Sequence, residues 1–358
     1  MRGAVFVGVD RDLELTDVEP VGPGPSDVVV AIGASGVCHS DLSVVTGARP
    51  FPAPALLGHE AAGTVVEVGA DVRLVRVGDR VVTGFIPSCG RCFWCLRGES
   101  NLCQLAADVA TVPRATLPDG RTATAFLGLG TFAERITVHE ASLVPVRSDL
   151  PDDQLALLGC GVTTGICAVL RTARVEPGDT VAVLGCGGVG QAVVQGAKLA
   201  GAARIVAVDP VGWKRDIALS LGATDAVDPT TTDVREAVLA GTGGRGVDHA
   251  FEATGLPAVT RQALTVARRG GAVIMLGMPA FDAVLEIPAL PLFAEGKRVV
   301  AGKYGDAQVR RDVQRLIELA EAGRIDLASM VTRRVGLADV NEALRAMTGG
   351  EVIRSVIV

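Results

Sequence analysis

The chain has 358 residues, 49% of them hydrophobic, which is enough to bury two ordinary cores and favours two domains over one oversized domain. Its formal net charge is −6, with Lys and Arg scattered singly or in pairs, so no basic stripe is offered to a phosphate backbone and nucleic acid is not expected as a partner. Acidic residues near the N-terminus and the lack of an apolar stretch followed by a cleavage site do not read as a signal peptide, so a cytoplasmic protein is expected, in which eight cysteines read as metal ligands, catalytic groups or buried apolar residues rather than disulfides.

Along the first part, to about residue 155, short Val-rich runs at 27–32, 63–68, 79–82 and 133–138 are separated by Gly, Pro and Asp, the spacing of a small irregular β domain. After Pro177-Gly178-Asp179 the pattern changes. Apolar strands (VAVLG, RIVAVD, VDHAFEAT, GAVIMLG) alternate with helical stretches at 189–199, 214–221 and 258–267, which predicts a parallel sheet with helices on both faces, an α/β fold. Beyond about residue 295 the pattern predicts amphipathic helices over 306–322 and 338–347 and a terminal VIRSVIV strand. Two charge-poor runs, 155–170 and 181–197, approach membrane length, but glycines and Thr163, Thr164 or Gln191 interrupt them, so both read as buried elements and no membrane is expected.

Three motifs carry chemistry. In CGRCFWCLRGESNLC, Cys89, Cys92, Cys95 and Cys103 stand in C-x2-C-x2-C-x7-C spacing, so short loops can close four thiolates around one tetrahedral ion. An iron–sulfur cluster also takes four cysteines, but the ligand set and spacing favour a structural zinc. The second motif is dispersed: Cys38 in GVCHSDL, His59 in GHEAAGTVVEVG and Cys160 in LLGCGVTTG would leave a zinc's fourth position open, as catalysis needs. Taken singly, each of these residues reads more readily as a buried core residue than as a ligand. The third is GCGGVG, where Gly185, Gly187 and Gly190 follow a strand and open a helix in the spacing that admits a pyrophosphate to the helix N-terminus. Asp209, at the end of the next strand, can accept from the adenosine ribose hydroxyls and would repel a 2′-phosphate, favouring NAD over NADP; a turn role before Pro210 is the lesser alternative.

In this order the motifs resemble the zinc-containing alcohol dehydrogenases of the medium-chain dehydrogenase/reductase family, nearly end to end. The resemblance implies a GroES-like β catalytic domain from residues 1–160 and 300–358, with a Rossmann dinucleotide-binding domain, 161–299, inserted. It also implies two Zn2+ per subunit, NAD, and hydride transfer between an alcohol and the nicotinamide, giving an aldehyde or ketone. On matching positions, Asp41 would orient His59, Glu60 would approach the metal, and Ser40 would pass on the alcohol's proton. His39, Thr164, Gly188, Val189, Lys214 and Arg354 would join the glycines on the cofactor, and Arg49, Phe85, Phe126, Leu127 and Met278 would line a substrate pocket for a primary or secondary alcohol with a hydrophobic tail.

Two positions depart from the family pattern: Ser43 stands where many relatives end a proton relay with His, and His39 where some carry Arg. Arg49 keeps open a thiol-adduct formaldehyde dehydrogenase. The motifs also fit a nicotinoprotein that holds NAD permanently and, on fold alone, a non-catalytic NAD-binding homologue. The segment between Cys103 and Phe132 is longer than in compact tetrameric relatives, which points to a homo-oligomer, a dimer before a tetramer.

Overall fold

A computed structural model describes residues 1–358, which divide into two compact units. The first comprises Met1–Cys160, Gln308–Gly323 and Val331–Val358; the second comprises Gly161–Ala307 and Arg324–Met330.

In the first unit the Val-rich runs become strands because alternate side chains can be buried on one face. The longest, Asp27–Gly36, lies inside a seven-stranded sheet and pairs antiparallel with Glu60–Val68, Arg135–His139 and Arg354–Ile357. Val28 and Val30 point from it into a core with Val65, Val81, Ile136 and Val138. The terminal strand, Arg354–Ile357, runs parallel to Val331–Val335 and is thereby fixed in this unit. The helix expected over 306–322 runs Val309–Glu321, and its later start has a backbone cause. Tyr304, Gly305 and Asp306 all have φ between 53° and 61°, which a right-handed helix cannot include. The second expected helix occupies Val340–Thr348.

The second unit is a six-stranded parallel sheet in the order Asp225–Val227, Arg204–Val208, Thr180–Leu184, Val247–Glu252, Ala267–Met275, Arg298–Ala301. Its central strands Thr180–Leu184 and Arg204–Val208 are apolar beyond their first residue because both faces are covered. Val181, Val183, Ile205, Ala207, Phe251 and Ile274 enter one core, and Ala182, Leu184, Val206, Val208, Ala250 and Val273 enter the other. The run 181–197 resolves into the strand Thr180–Leu184 and the helix Gly188–Ala200, and no single helix in the chain is long and apolar enough to cross a membrane.

Candidate metal centres and cofactor loop

The four-cysteine loop closes on itself. Cys89 Sγ lies 3.9 Å from Cys95 Sγ, Cys92 Sγ lies 3.9 Å from Cys103 Sγ, and all four sulfurs fall within 4.8 Å of one another. A regular tetrahedron with zinc–sulfur bonds of about 2.3 Å has edges of about 3.8 Å, so the sulfurs already stand near the spacing of a bound ion. No disulfide forms among them. Backbone N–H groups of Cys95 and Gln104 draw the Cys92 thiol down to about 6, which readies a thiolate.

A second cluster assembles from distant positions: the ligand atoms of Cys38, His59, Glu60 and Cys160 lie within 4.8 Å of one another, and all four residues are buried. Each sits where an element begins or ends. Cys38 precedes the helix His39–Val45 and donates its backbone N–H to Asp41 Oδ2 at 3.2 Å. Cys160 ends the 3-10 turn Leu157–Gly159. His59 enters the strand Glu60–Val68 from Gly58, whose φ of +89° and a gap of only 2.5 Å between an added Cβ and Thr131 Oγ1 both require glycine.

Asp41 decides the state of His59. Buried, its Oδ1 accepts from Gly58 N–H at 2.9 Å and from His59 Nδ1 at 3.2 Å. With the proton on Nδ1, the lone pair of Nε2 is presented to the thiols, and Nε2 is buried without any hydrogen-bond partner. A buried, orphaned acceptor between two sulfurs and a carboxylate is satisfied by a metal, and two thiolates with one imidazole fit zinc.

The electrostatics follow from that crowding. A hydrogen bond from the Cys160 thiol, working against burial and with help from Arg354, holds Cys38 well below the ordinary thiol range, and Cys160 is raised in turn. Burial lowers His59, but the charges of Asp41 and Cys38 outweigh it and raise the ring's pKa in the metal-free cluster; a zinc on Nε2 would take the place of the second proton. Burial pushes Glu60 up to about 7 against the pull of Arg354. Arg354 is itself buried, with Nη2 3.3 Å from Glu60 Oε1 and Nη1 donating to the Val37 carbonyl at 3.3 Å. Thr83, which has no motif to announce it, accepts from Ala61 N–H at 2.8 Å and donates to the His59 carbonyl at 3.2 Å, pinning the backbone that carries His59 and Glu60.

In the second unit, Gly185 (φ +97°) turns the chain out of the strand Thr180–Leu184, and Gly187 precedes the helix Gly188–Ala200. A Cβ on Gly190 would lie 1.8 Å from the Gly185 carbonyl oxygen, whereas one on Gly187 would meet nothing within 4 Å, the open approach a diphosphate needs. Asp209 accepts from Cys186 N–H at 2.8 Å and Val211 N–H at 2.9 Å, which stiffens the loop and aims the carboxylate. Arg215, which belongs to no motif, donates to the Asp209 carbonyl at 2.6 Å and pairs with Asp228 at 3.1 Å. Lys214 Nζ lies 5.7 Å from the Trp213 ring, and Thr164 is buried in the helix Gly161–Cys167.

His39 is exposed and Ser40 half-buried on the first turn after Cys38. Ser43 donates its hydroxyl to the His39 carbonyl at 2.8 Å. In the first unit Phe126 meets His59 edge to face at 5.5 Å and Phe85 meets it at 6.0 Å; Leu127, with φ of 55°, follows Phe126, and Arg49 lies over the Phe126 ring. Phe51, which no motif marks, closes on Phe126 edge to face at 5.4 Å. Met278 belongs to the second unit and is exposed.

A buried thiolate–imidazole cluster with an acidic neighbour, in a chain that also carries a dinucleotide loop on a parallel sheet, defines the metal-dependent oxidoreductases as the class. Residues 24–152 match the alcohol dehydrogenase GroES-like domain, and residues 188–322 match the zinc-binding dehydrogenase domain. The chain is 39% identical, over 369 residues and 99% of both chains, to the S-(hydroxymethyl)glutathione dehydrogenase of Synechocystis sp.. Among solved structures it resembles the benzyl alcohol dehydrogenase of Acinetobacter calcoaceticus (TM-score 0.92, 28% identity, 99% of this chain and 98% of that one). It also resembles a zinc-binding dehydrogenase of Sinorhizobium meliloti 1021 bound to NADP (TM-score 0.82, 30% identity, 100% and 98%). The protein belongs to the zinc-containing alcohol dehydrogenases of the medium-chain dehydrogenase/reductase family and is an oxidoreductase. Zinc and a nicotinamide dinucleotide are the cofactors of that family, and both cysteine-bearing clusters have the donor sets that zinc takes.

Proposed function

We propose that the protein oxidises a primary or secondary alcohol with NAD and, in reverse, reduces the aldehyde or ketone. The reading is carried by His59 Nε2, a buried lone pair without a hydrogen-bond partner between Cys38 and Cys160. When bound, zinc supplies Lewis-acid chemistry and NAD a hydride acceptor. Cys38, His59 and Cys160 would hold the metal, which would polarise a substrate oxygen; Asp41 fixes the imidazole, and the Glu60 carboxylate lies among the same ligand atoms. Ser40 takes the alcohol's proton. Ser43 is committed to the His39 carbonyl, so the proton leaves to water rather than through a longer relay.

Within the second unit, Gly185, Gly187, Gly188, Val189 and Gly190 would receive the diphosphate with Thr164 nearby, and Asp209 would select the ribose of NAD with Lys214 beside it. A carboxylate with no arginine of its own for a 2′-phosphate would disfavour NADP, but Arg215 is near, and the Sinorhizobium relative holds NADP. Cofactor choice is therefore tested directly. Phe85 and Leu127, both half-buried, would give the alcohol an apolar wall, and the fully buried Phe126 supports the His59 ring. A thiol-adduct formaldehyde dehydrogenase is the second reading, favoured by the name of the Synechocystis relative and by Arg49.

The test is a panel of alcohols, with formaldehyde plus low-molecular-weight thiols included, assayed with NAD and NADP on a preparation whose zinc is measured. We expect two zincs per chain and a kcat/KM at least about tenfold higher with NAD, a difference worth about 1.4 kcal/mol. One zinc or none, or no turnover of any alcohol, overturns the proposal. Cofactor absorbance that survives desalting would make the enzyme a nicotinoprotein.

A further inference from the structure

We propose that Asp228 is a second determinant of cofactor choice beside Asp209: it occupies the guanidinium of Arg215, which would otherwise serve a 2′-phosphate, and so strengthens the preference for NAD. The inference rests on the NAD reading and deepens it, and every residue it uses lies in the second unit.

The register of the sheet sets two carboxylates side by side. Val208 stands opposite Val227 in the parallel pair Arg204–Val208 and Asp225–Val227, so Asp209 and Asp228 leave neighbouring strands at their carboxyl ends, where an open α/β sheet binds its ligand. Asp209 turns toward the glycine loop and accepts from Cys186 N–H at 2.8 Å. Asp228 is aimed by its own turn. Its Oδ1 accepts from Thr230 N–H at 2.9 Å and from the Thr230 hydroxyl at 2.6 Å, and its Oδ2 faces Arg215 Nη2 at 3.1 Å. The Thr230 donors, ahead of Arg215, hold the Asp228 carboxyl below its usual range, so it is ionised at neutral pH.

Arg215 joins the two. It lies in the first turn of the helix Gly212–Leu221, and its Nη1 donates to the Asp209 carbonyl at 2.6 Å while Nη2 pairs with Asp228. That turn is fixed to the glycine loop by the fully buried Gln191, whose Nε2 donates to the Cys186 carbonyl at 3.1 Å and to the Lys214 carbonyl at 2.9 Å. The charge of Arg215 is accordingly felt in the loop: burial and the Asp209 charge raise the Cys186 thiol, and Lys214 and Arg215 oppose them.

A 2′-hydroxyl needs only an acceptor, which Asp209 supplies. A 2′-phosphate is repelled by Asp209, and the compensating gain must come from a cation, best from a guanidinium that offers phosphate oxygens paired donors. Asp228 removes that gain. Only 19% of the Arg215 side chain and 23% of the Asp228 side chain are exposed, so the pair is weakly screened, and drawing Arg215 away leaves a largely desolvated carboxylate behind.

Two plainer roles compete: Asp228 acts only through its own charge, or it only ties down the sheet edge. ADP-ribose and its 2′-phosphate differ by one phosphate, and calorimetry on the zinc-loaded enzyme gives a dissociation constant for each. We expect the wild type to favour ADP-ribose at least about tenfold. In Asp228→Asn an oxygen remains for the Thr230 donors and an NH2 turns toward Arg215, so the turn is kept and the ion pair is lost. The preference should then fall about tenfold, and the ratio of kcat/KM for NAD over NADP should fall with it. Adding Arg215→Gln to Asp228→Asn should reverse most of that fall, whereas Arg215→Gln alone should leave the preference no weaker than in the wild type. An unchanged preference in Asp228→Asn, or an equal loss of both ligands, overturns the inference and leaves the NAD reading standing. A fall kept in full by the double variant assigns it to the charge of Asp228 alone and overturns the role of Arg215. A wild type that does not favour ADP-ribose, or binds neither ligand, overturns the NAD reading, and the inference falls with it.

Discussion

Asp41 is the residue on which the catalytic cluster turns, because its two oxygens hold three different groups: Gly58 N–H and the His59 ring on Oδ1, and the Cys38 N–H on Oδ2. All three groups donate, so the carboxylate cannot be replaced by an amide of the same shape. An Asn there would either turn its NH2 toward Cys38, donor against donor, or flip and lose the His59 partner. Asp41→Asn is thus expected to weaken the catalytic zinc by about 10- to 100-fold while the four-cysteine zinc stays bound. Titration of the variant with a chelator should show one ion leaving earlier than its counterpart does in the wild type and the other unmoved; two release curves that match the wild type would contradict the role given to Asp41. This scale is also where the sequence was least evenly legible. Cys89, Cys92, Cys95 and Cys103 announce their site through spacing because one loop holds all the ligands. Cys38, His59 and Cys160 have no local signature, since the fold rather than the chain brings them together, and only the resemblance pointed to them. Thr83 and Phe51 carried no signal at all, being ordinary residues whose importance lies in what stands opposite them.

Elements were far more legible than contacts, and the reason is periodicity. Strands such as Thr180–Leu184 and Arg204–Val208 are apolar at every central position because both faces are covered, and the helix expected over 189–199 is Gly188–Ala200, its end set by a left-handed Gly201. What periodicity cannot show is how neighbouring strands are tied at their ends. Asp248, at a register shift in Val247–Glu252, accepts from Thr180 N–H at 2.8 Å, from Thr180 Oγ1 at 2.7 Å and from Arg268 Nε at 2.6 Å, so one carboxylate joins three adjacent strands. Burial raises its pKa, but the Thr180 and Arg268 donors outweigh that and hold it down at about 2. A carboxylate depressed in the folded state stabilises the fold above its unfolded value, near 3.9, and loses that contribution as pH falls through about 2. Asp248→Asn should therefore be less stable than the wild type by about 1 to 2 kcal/mol at neutral pH, after allowance for solvent screening, with the gap closing between about pH 4 and 2. Urea unfolding at a series of pH values measures it, and a gap that is constant down to about pH 2 would assign the loss to packing instead.

At the scale of the whole molecule, the sequence pointed to a homo-oligomer, and the second unit offers a surface for one. The strand Arg298–Ala301 is the last of the parallel sheet, paired on one side only, so a row of backbone donors and acceptors is open along its outer edge. The segment leading into it is apolar and bare: Phe281 is 82% exposed, Val284 72%, Leu290 75% and Phe293 86%. Large apolar side chains exposed so closely together are unusual for a lone chain. An edge strand can pair antiparallel with its own copy across a twofold axis, the same surface serving both partners, so a second copy of this chain is the occupant that needs no other protein. Such a dimer would bury the four apolar side chains and complete the edge at once. A double substitution, Leu290→Glu with Phe293→Glu, places like charges on both sides of that axis and should convert a dimer into a monomer by light scattering. Because the substituted residues lie outside both metal clusters, zinc content is expected to stay at two per chain. A dimer that survives both charges would place the interface elsewhere, and a wild type that is monomeric at micromolar concentration would show that the exposed segment serves another partner.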